Sequence, residues 1–409
     1  MAEGKIYTGL DIGTTKITAI VAEADESGEG LRIIGVGTAP SDGLKRGVVV
    51  SLEKTVRSIQ HAIGEAERMS GRRIQSVYAG IAGDHIRGLT SRGVIAVSRK
   101  DTEIRAQDVE RVVEAAKAVA IPADREILHV LPQGFVVDDQ DGIRDPVGMT
   151  GVRLEAEVHI ITGGTSACRN IVRAAEKAGL RVEELVLEPL ASANAVLANE
   201  ERDLGVALLD IGGGTTDVAV FCEGTIRHTA VIGLGGSNVT NDLAIGLRTP
   251  VDRAEALKLQ CGCALTSMVR PEEMVKVPSV GGRPDRDISR HMLAMMIEPR
   301  AEEILALAQK EVRKSHTAEL LPAGVVITGG ASLLPGMVEL AEQIFGLPVR
   351  RGDPQGVSGL IESISGPRYA TGVGLALHAF QCDAPGRPSG AGVFSKIFTG
   401  ARRWIEELV

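Results

Sequence analysis

Apolar and polar positions change rhythm repeatedly along the chain, and the changes mark its elements. Residues 6–10 and 206–209 are short apolar runs, and residues 17–21 and 218–221 alternate, so each pair reads as strand, tight turn, strand. Residues 51–69 carry Leu52, Val56, Ile59, Ile63 and Ala66 at helical spacing, with Ser51 at the N-cap position. Residues 106–120 do the same with Val109, Val112, Val113, Ala116 and Val119 inward. Short strands over 94–97, 126–131, 135–137 and 154–161 surround that second helix, so residues 81–162 read as a β-α-β-β insertion forming a small subdomain. Beyond it come a helix over 165–179, capped by Thr165 and ended by Gly179, and a strand over 183–187. An Ala-rich helix then opens at Pro189, its small residues suiting a crossing between two lobes. Helices follow at 239–246 and 252–259, a loop-rich stretch at 268–290, and a long helix at 288–314. A buried strand at 325–328 runs into a Gly329-Gly330 bend and a further helix.

The two strand-turn-strand units rhyme in sequence. Asp11-Ile12-Gly13-Thr14-Thr15-Lys16 is echoed by Asp210-Ile211-Gly212-Gly213-Gly214-Thr215-Thr216-Asp217, and Gly-containing strands follow both at comparable distances. One such turn alone would be an ordinary β-turn with Asp at its first position. A repeat in matched context has a chemical reading. Glycines let backbone approach an anion, successive N–H groups and Thr hydroxyls donate to phosphate oxygens, and the preceding Asp can hold Mg²⁺ through water. Two facing copies would make a phosphate clamp.

At 409 residues the chain exceeds one ordinary core, and one turn falls in each half, so two lobes are expected. Apolar residues make up 44% but aromatics only 2%, which predicts cores of Val, Ile, Leu and Ala in helix-covered sheets of an α/β fold. No apolar run is long enough to span a bilayer, and the first residues lack a signal-peptide core, so a cytosolic chain is expected. A net charge of −8 argues against general nucleic-acid binding. The five cysteines are scattered and read as reduced thiols. The eight histidines are dispersed and read as surface or core residues, so no protein-ligated metal is indicated. Residues 138–142 resemble the start of a calcium loop but lack its closing Glu, and read as a solvated turn.

The C-terminus has its own pattern. Residues 381–393 are a Gly/Pro-rich tether. Beyond them Phe394, Ile397, Phe398, Ala401, Ile405 and Leu408 recur at helical spacing, and Trp404, the chain's single tryptophan, adjoins them. Lys396, Arg402 and Arg403 supply cations. A basic amphipathic helix over 394–409 on a flexible leash fits an interfacial membrane anchor; the alternative is a helix that folds back or fills a protein groove.

Two phosphate hairpins, a linking Ala-rich helix and a late strand-GlyGly-helix, in that order, resemble the actin/Hsp70/sugar-kinase ATPase superfamily. Within it the chain resembles the bacterial cell division family FtsA through Gly43-Leu44-Lys45-Arg46-Gly47-Val48, residues 235–242, residues 278–284 and the tail. The resemblance implies an actin-like two-lobed fold with ATP and Mg²⁺ between the lobes. Its first lobe would comprise 1–80, 163–200 and 368–380, with 81–162 inserted. Its second would comprise 201–240 and 300–367, with a subdomain at 241–299. It also implies that Asp11, Gly13, Thr14, Thr15 and Lys16 form one phosphate loop and Asp210, Gly212, Gly213, Gly214, Thr215 and Thr216 the other, with Asp11 and Asp210 holding Mg²⁺ through water. Gly236, Gly329, Gly330, Ala331 and Ser332 would hold the adenosine, and Glu255 and Lys258 would reach ribose or adenine. Glu188 would orient a water; by its place alone it is equally a helix-terminal carboxylate. Tight nucleotide binding with at most slow ATPase activity is expected.

The implied partners are the C-terminal tail of the tubulin-like FtsZ, docking on 241–299 with Arg283, Arg286 and Arg290 as candidate contacts, further copies of the chain in a filament, membrane lipids and other division proteins. The implied place is the cytoplasmic face of the inner membrane at the septum. A pilus-assembly ATPase of the same superfamily and a small-molecule kinase are the competing readings; a chaperone would need a substrate domain for which no residues remain.

Overall fold

The computed structural model describes residues 5–25, 28, 30–97, 102–278, 284–315 and 321–383. The first lobe begins as a meander of β1 (Ile6–Ile12), β2 (Lys16–Ala24) and β3 (Leu31–Pro40). A small hairpin, β4 (Leu44–Lys45) with β5 (Val48–Val49), leads to α1 (Leu52–Ser70) and β6 (Ser76–Ile81), which pairs parallel to β1. Ile59, Ile63 and Ala66 of α1 are buried as their spacing predicts. Ser51 sits at the N-cap, although its side chain makes no capping hydrogen bond.

The insertion follows: β7 (Arg87–Ala96), α2 (Ala106–Lys117), β8 (Arg125–Val137), β9 (Gln140–Ile143) and β10 (Arg153–Gly164). Its strands form a separate sheet in the order β7-β10-β8-β9. Val109, Val112, Val113 and Ala116 of α2 close its core, whereas Val119 lies beyond the helix end and is half-buried. The two short strands expected at 126–131 and 135–137 are one strand. Pro132-Gln133-Gly134 reads as a turn in sequence, but it is a bulge: Pro132 pairs with Val158 and Gly134 with Glu157, leaving Gln133 extra. The bulge aims Gln133 out of the sheet. Of residues 138–142, expected as a solvated turn, Asp138 and Asp139 form the turn and 140–142 belong to β9, and Asp138 Oδ1 accepts from the backbone N–H groups of Val152 and Arg153.

The chain returns through α3 (Thr165–Lys177), with Gly164 rather than Thr165 at the cap, and β11 (Arg181–Leu187), parallel to β6. Then α4 (Glu188–Val196) and α5 (Asn199–Leu204) lead to the second lobe. That lobe repeats the first: β12 (Val206–Ile211), β13 (Thr216–Cys222) and β14 (Thr225–Ile232) form the meander. After α6 (Gly236–Leu247), α7 (Val251–Cys261), β15 (Met274–Val277), β16 (Arg286–Ser289) and α8 (Arg290–Arg313), the strand β17 (Val325–Thr328) pairs parallel to β12. Then come α9 (Met337–Phe345), β18 (Val349–Arg351), β19 (Val357–Gly359) and α10 (Ala370–Asp383). The orders β3-β2-β1-β6-β11 and β14-β13-β12-β17-β18 match strand for strand.

Three expected boundaries move. β19 pairs parallel with β3, so the chain rejoins the first lobe at Val357 rather than at 368; three residues are too few to show a period. Helix α10 continues to Asp383, three residues into the expected tether. The 241–299 subdomain begins inside α6, but its end is sharp. The half of α8 before Pro299 packs Leu293 and Ile297 with α6 and α7, and the half after it packs Ala301, Ile304 and Leu305 on the second-lobe sheet.

One core cluster spans both lobes through α4 and α10, joining Ile20 and Ile33 to Ala195, Leu208, Ala219, Val373 and Ala376. These helices touch because α10 carries Gly374: a Cβ there would stand 1.8 Å from the Ala191 carbonyl oxygen. Among the described residues, no helix is long and apolar enough to cross a membrane. The 394–409 segment and Arg283 lie outside the described residues.

Candidate functional site

The β1–β2 and β12–β13 turns have the same register. Ile12 pairs with Ile17 and Ile211 with Thr216, enclosing four residues in each case. The turns face each other in contact across the lobes. A Cβ on Gly213 would stand 2.4 Å from Thr15 Cγ2, and one on Gly214 would stand 2.6 Å from Thr14 Oγ1. The second turn's glycines therefore vacate the space that the first turn's threonines fill. The Gly47 N–H donates to Thr14 Oγ1 at 3.1 Å, which brings the basic Gly43–Gly47 turn against the first loop.

Beneath the turns lies a cluster of carboxylates. Asp11, Asp210 and Asp217 are buried, and Glu188, the first residue of α4, faces them. Asp210 Oδ2 accepts from Ser192 Oγ of α4 and, at 3.1 Å, from Thr371 Oγ1 of α10, so both interlobe helices fix it. Burial pushes the Asp11 carboxyl up to about 6, with Lys16 opposing and Asp210 reinforcing the shift. Glu188 is driven well above the usual carboxylate range by burial, then by Asp11, Asp217 and Asp210. Asp217 is driven up likewise by burial and Asp210. Lys16 is the cation that opposes these shifts at Asp11, Asp210 and Glu188. Its ammonium donates to the Arg368 carbonyl and stands 4.7 Å from the Tyr369 ring centroid.

This donor set fits Mg²⁺. Asp217 Oδ1 is buried without a hydrogen-bond partner, and the surrounding ligands are hard oxygens with excess negative charge. Asp11 and Asp210 would hold the ion through water, with Asp217 and Glu188 behind them.

The residues expected to hold adenosine converge at the second turn. Gly236 and Ser237 open α6 by donating their N–H groups to the Gly212 and Gly213 carbonyls at 2.9 and 2.8 Å. A Cβ on Gly236 would lie 3.3 Å from Ala331 Cβ and 3.5 Å from Lys258 Nζ. Lys258 Nζ donates to the Gly236 carbonyl at 3.1 Å, to Thr240 Oγ1 at 2.9 Å and to Glu255 Oε2 at 2.7 Å, so Glu255 and Lys258 share one wall. Gly329 has φ 83° and lies against Asp210, whose Oδ1 would be 2.4 Å from a Cβ. Gly330 and Ala331 continue the bend. Ser332 differs from its expected role: its hydroxyl is buried and donates to the Gly329 carbonyl at 2.7 Å, so it shapes the bend and offers nothing to a ligand.

Sequence reading missed Ser192, Thr371, Thr240 and Asp217. Only Asp217 carried a signal, because it occupies the place of Thr18 in the first hairpin and points the same way. The others lie far away in sequence. The arginines expected to meet a partner fare differently. Arg286 donates to the Leu247 carbonyl, and Arg290 is tied to Glu273 at 2.7 Å and to the Cys261 carbonyl at 2.8 Å. Arg290 opens α8, inside the helix expected from 288, and Arg286 lies on β16 of a strand pair that sequence reading took for part of a loop-rich stretch.

Comparison with known proteins gives the family and the fold. The family described as "Cell division protein FtsA" matches residues 207–374, and the "SHS2 domain inserted in FTSA" matches residues 83–162. The cell division protein FtsA of Pseudomonas aeruginosa is 52% identical over 94% of this chain and 91% of its own length. That of Neisseria meningitidis is 44% identical over 97% of each. The Escherichia coli K12 protein is 42% identical over 99% of this chain and 96% of its own. Among solved structures, a PilM-PilN type IV pilus biogenesis complex aligns with TM-score 0.68 at 18% identity, over 91% of this chain and 98% of that one. MreB5 of Spiroplasma citri bound to ADP aligns with TM-score 0.55 at 15% identity, over 97% of this chain and 98% of that one. These structures establish an actin-like fold, and the pilus likeness extends no further than fold.

Proposed function

The chain belongs to the FtsA family of cell division proteins, and from that membership we propose that it is an ATP-binding, polymerising adaptor that tethers FtsZ to the cytoplasmic face of the inner membrane at the septum. The observation that carries the nucleotide reading is the contact of Thr14 and Thr15 with Gly214 and Gly213 above a shared set of carboxylates. The phosphates would take N–H groups and threonine hydroxyls from both lobes, so ligand and cleft closure are linked. Bound Mg²⁺ would offset phosphate charge. Glu188 would position a water. A related structure bound to ADP supports nucleotide as the ligand class.

The membrane reading rests on sequence: Phe394, Ile397, Phe398, Trp404, Ile405 and Leu408 on a segment that also carries Lys396, Arg402 and Arg403. One short anchor binds lipid reversibly, and a filament of copies adds avidity. The FtsZ tail would dock on the 241–299 subdomain, where Ile245, Leu259 and Met274 stand exposed; with Arg286 and Arg290 engaged internally, these apolar residues are the stronger contacts. The inserted subdomain offers the surface for other division proteins.

Calorimetry tests the nucleotide reading: Asp210→Ala should abolish measurable Mg·ATP binding, and unchanged affinity would place the pocket elsewhere. Liposome co-sedimentation tests the anchor: Trp404→Glu should leave the protein in the supernatant, and retained pelleting would remove the anchor reading.

A further inference from the structure

At the far end of α10 from the carboxylate cluster, three side chains from two elements converge. His378 Nε2 lies 3.2 Å from Glu184 Oε2 of β11 and 3.5 Å from Cys382 Sγ, one helical turn further along α10. All three ligand atoms lie within 4.8 Å of one another. A tetrahedral ion with Zn–N near ~2.05 Å, Zn–O near ~2.1 Å and Zn–S near ~2.3 Å sets its ligands about 3.4 Å (N to O) and about 3.5 Å (N to S) apart. The observed spacings match those edges.

Two further observations point to a bound cation. The second carboxylate oxygen, Glu184 Oε1, is buried and has no hydrogen-bond partner. A cavity of about 210 Å³ borders the group, lined by Lys5, Tyr7, Tyr78, Glu184, Cys382 and Asp383, with room for an ion and a water.

We propose that Glu184, His378 and Cys382 form a three-ligand site for a borderline divalent ion of the Zn²⁺ class, which pins the last turn of α10 to the first-lobe sheet. Binding replaces the proton on the imidazolium and the proton on the thiol, releasing both, and leaves a fourth position for water. The site fixes the last turn of α10 at the end of the described residues. Sequence spacing hid it because His378 and Cys382 are an isolated pair until β11 brings Glu184 alongside.

Cobalt(II) is the probe, titrated into the full chain and followed by absorption. The expected result is one equivalent per chain with tetrahedral visible bands and a thiolate-to-cobalt charge-transfer band. Cys382→Ser should abolish that band, His378→Gln should weaken binding at least tenfold, and Cys261→Ser with Cys263→Ser should leave the band intact. Cys382 is exposed, so its serine variant is expected to fold, and circular dichroism checks this. Absence of the band in the wild type, or its persistence in Cys382→Ser, would overturn the proposal. Mg·ATP affinity should be the same with and without the ion, which keeps this test separate from that of the nucleotide site.

Discussion

The two facing hairpins are equivalent in backbone and opposite in side chain. The first presents Thr14, Thr15 and Lys16; the second presents Gly213, Gly214 and Thr215, followed by Asp217 where the first has Thr18. One supplies hydroxyls and a cation, the other bare backbone and an extra carboxylate. Their contact explains the difference, since threonines on both sides could not occupy the same space. A duplicated turn thus became a complementary pair: each keeps its leading aspartate, while the first adds Lys16 and the threonines that fill the contact and the second adds Asp217.

The largest effect should come from destroying that complementarity. Gly213→Val places a branched side chain where Thr15 already sits, so the cleft cannot close; overpacking of roughly 1–3 kcal/mol corresponds to a loss of about 5- to 150-fold in Mg·ATP affinity by calorimetry. Adding Thr15→Gly should recover part of it. Affinity unaffected by Gly213→Val would mean that the turns do not close on the ligand together.

A smaller effect should follow from loosening Asp210 while keeping its charge. Ser192→Ala removes one of the two hydroxyls held by its Oδ2. Hydrogen bonds to charged groups contribute about 1.5–3 kcal/mol, so a loss of about tenfold in affinity is expected, with secondary structure unchanged by circular dichroism. Thr15→Ala, on the opposite lobe, should not alter the Asp210 environment.

Asp11, the first hairpin's own carboxylate, also sets a pH dependence. Asp11 titrates near 6 in the folded protein against 3.8 for the free side chain, so the native state binds more protons between those values. Stability without ligand therefore falls as pH rises from about 4 through about 6, and differential scanning calorimetry should show Tm declining over that range in the absence of Mg²⁺. Affinity for Mg·ATP should move the other way, rising as Asp11 deprotonates. Asp11→Asn should flatten both trends. The smallest effect is expected of Ser332→Ala, less than about twofold in affinity, because its hydroxyl serves only the Gly329 bend.

What was legible in the sequence follows from range. The hairpins, α1, α2 and the Gly329-Gly330 bend could be read because turn chemistry and helical spacing are local. The end of α2 moved by a few residues, since tertiary contacts decide where fraying stops. The bulge at Gln133 was unreadable as such because its cause lies across the lobes: Gln133 Nε2 donates to the carbonyls of Ile226 and Arg227 at 2.8 and 3.1 Å. Ser192 and Thr371 were invisible for the same reason, being 179 residues apart and joined only by the α4–α10 crossing. Arg290 was misread because exposure of a charged residue cannot be judged before its partner, Glu273, is placed.

The central claim is that one nucleotide is held by both hairpins at once. Isothermal titration of Mg·ATP into the wild type, Asp11→Asn, Asp210→Asn and the double variant addresses it most directly. The account predicts that each single variant loses at least about tenfold in affinity and that the double variant loses less than the product, because both carboxylates serve one ion. Wild-type affinity in either single variant would contradict it.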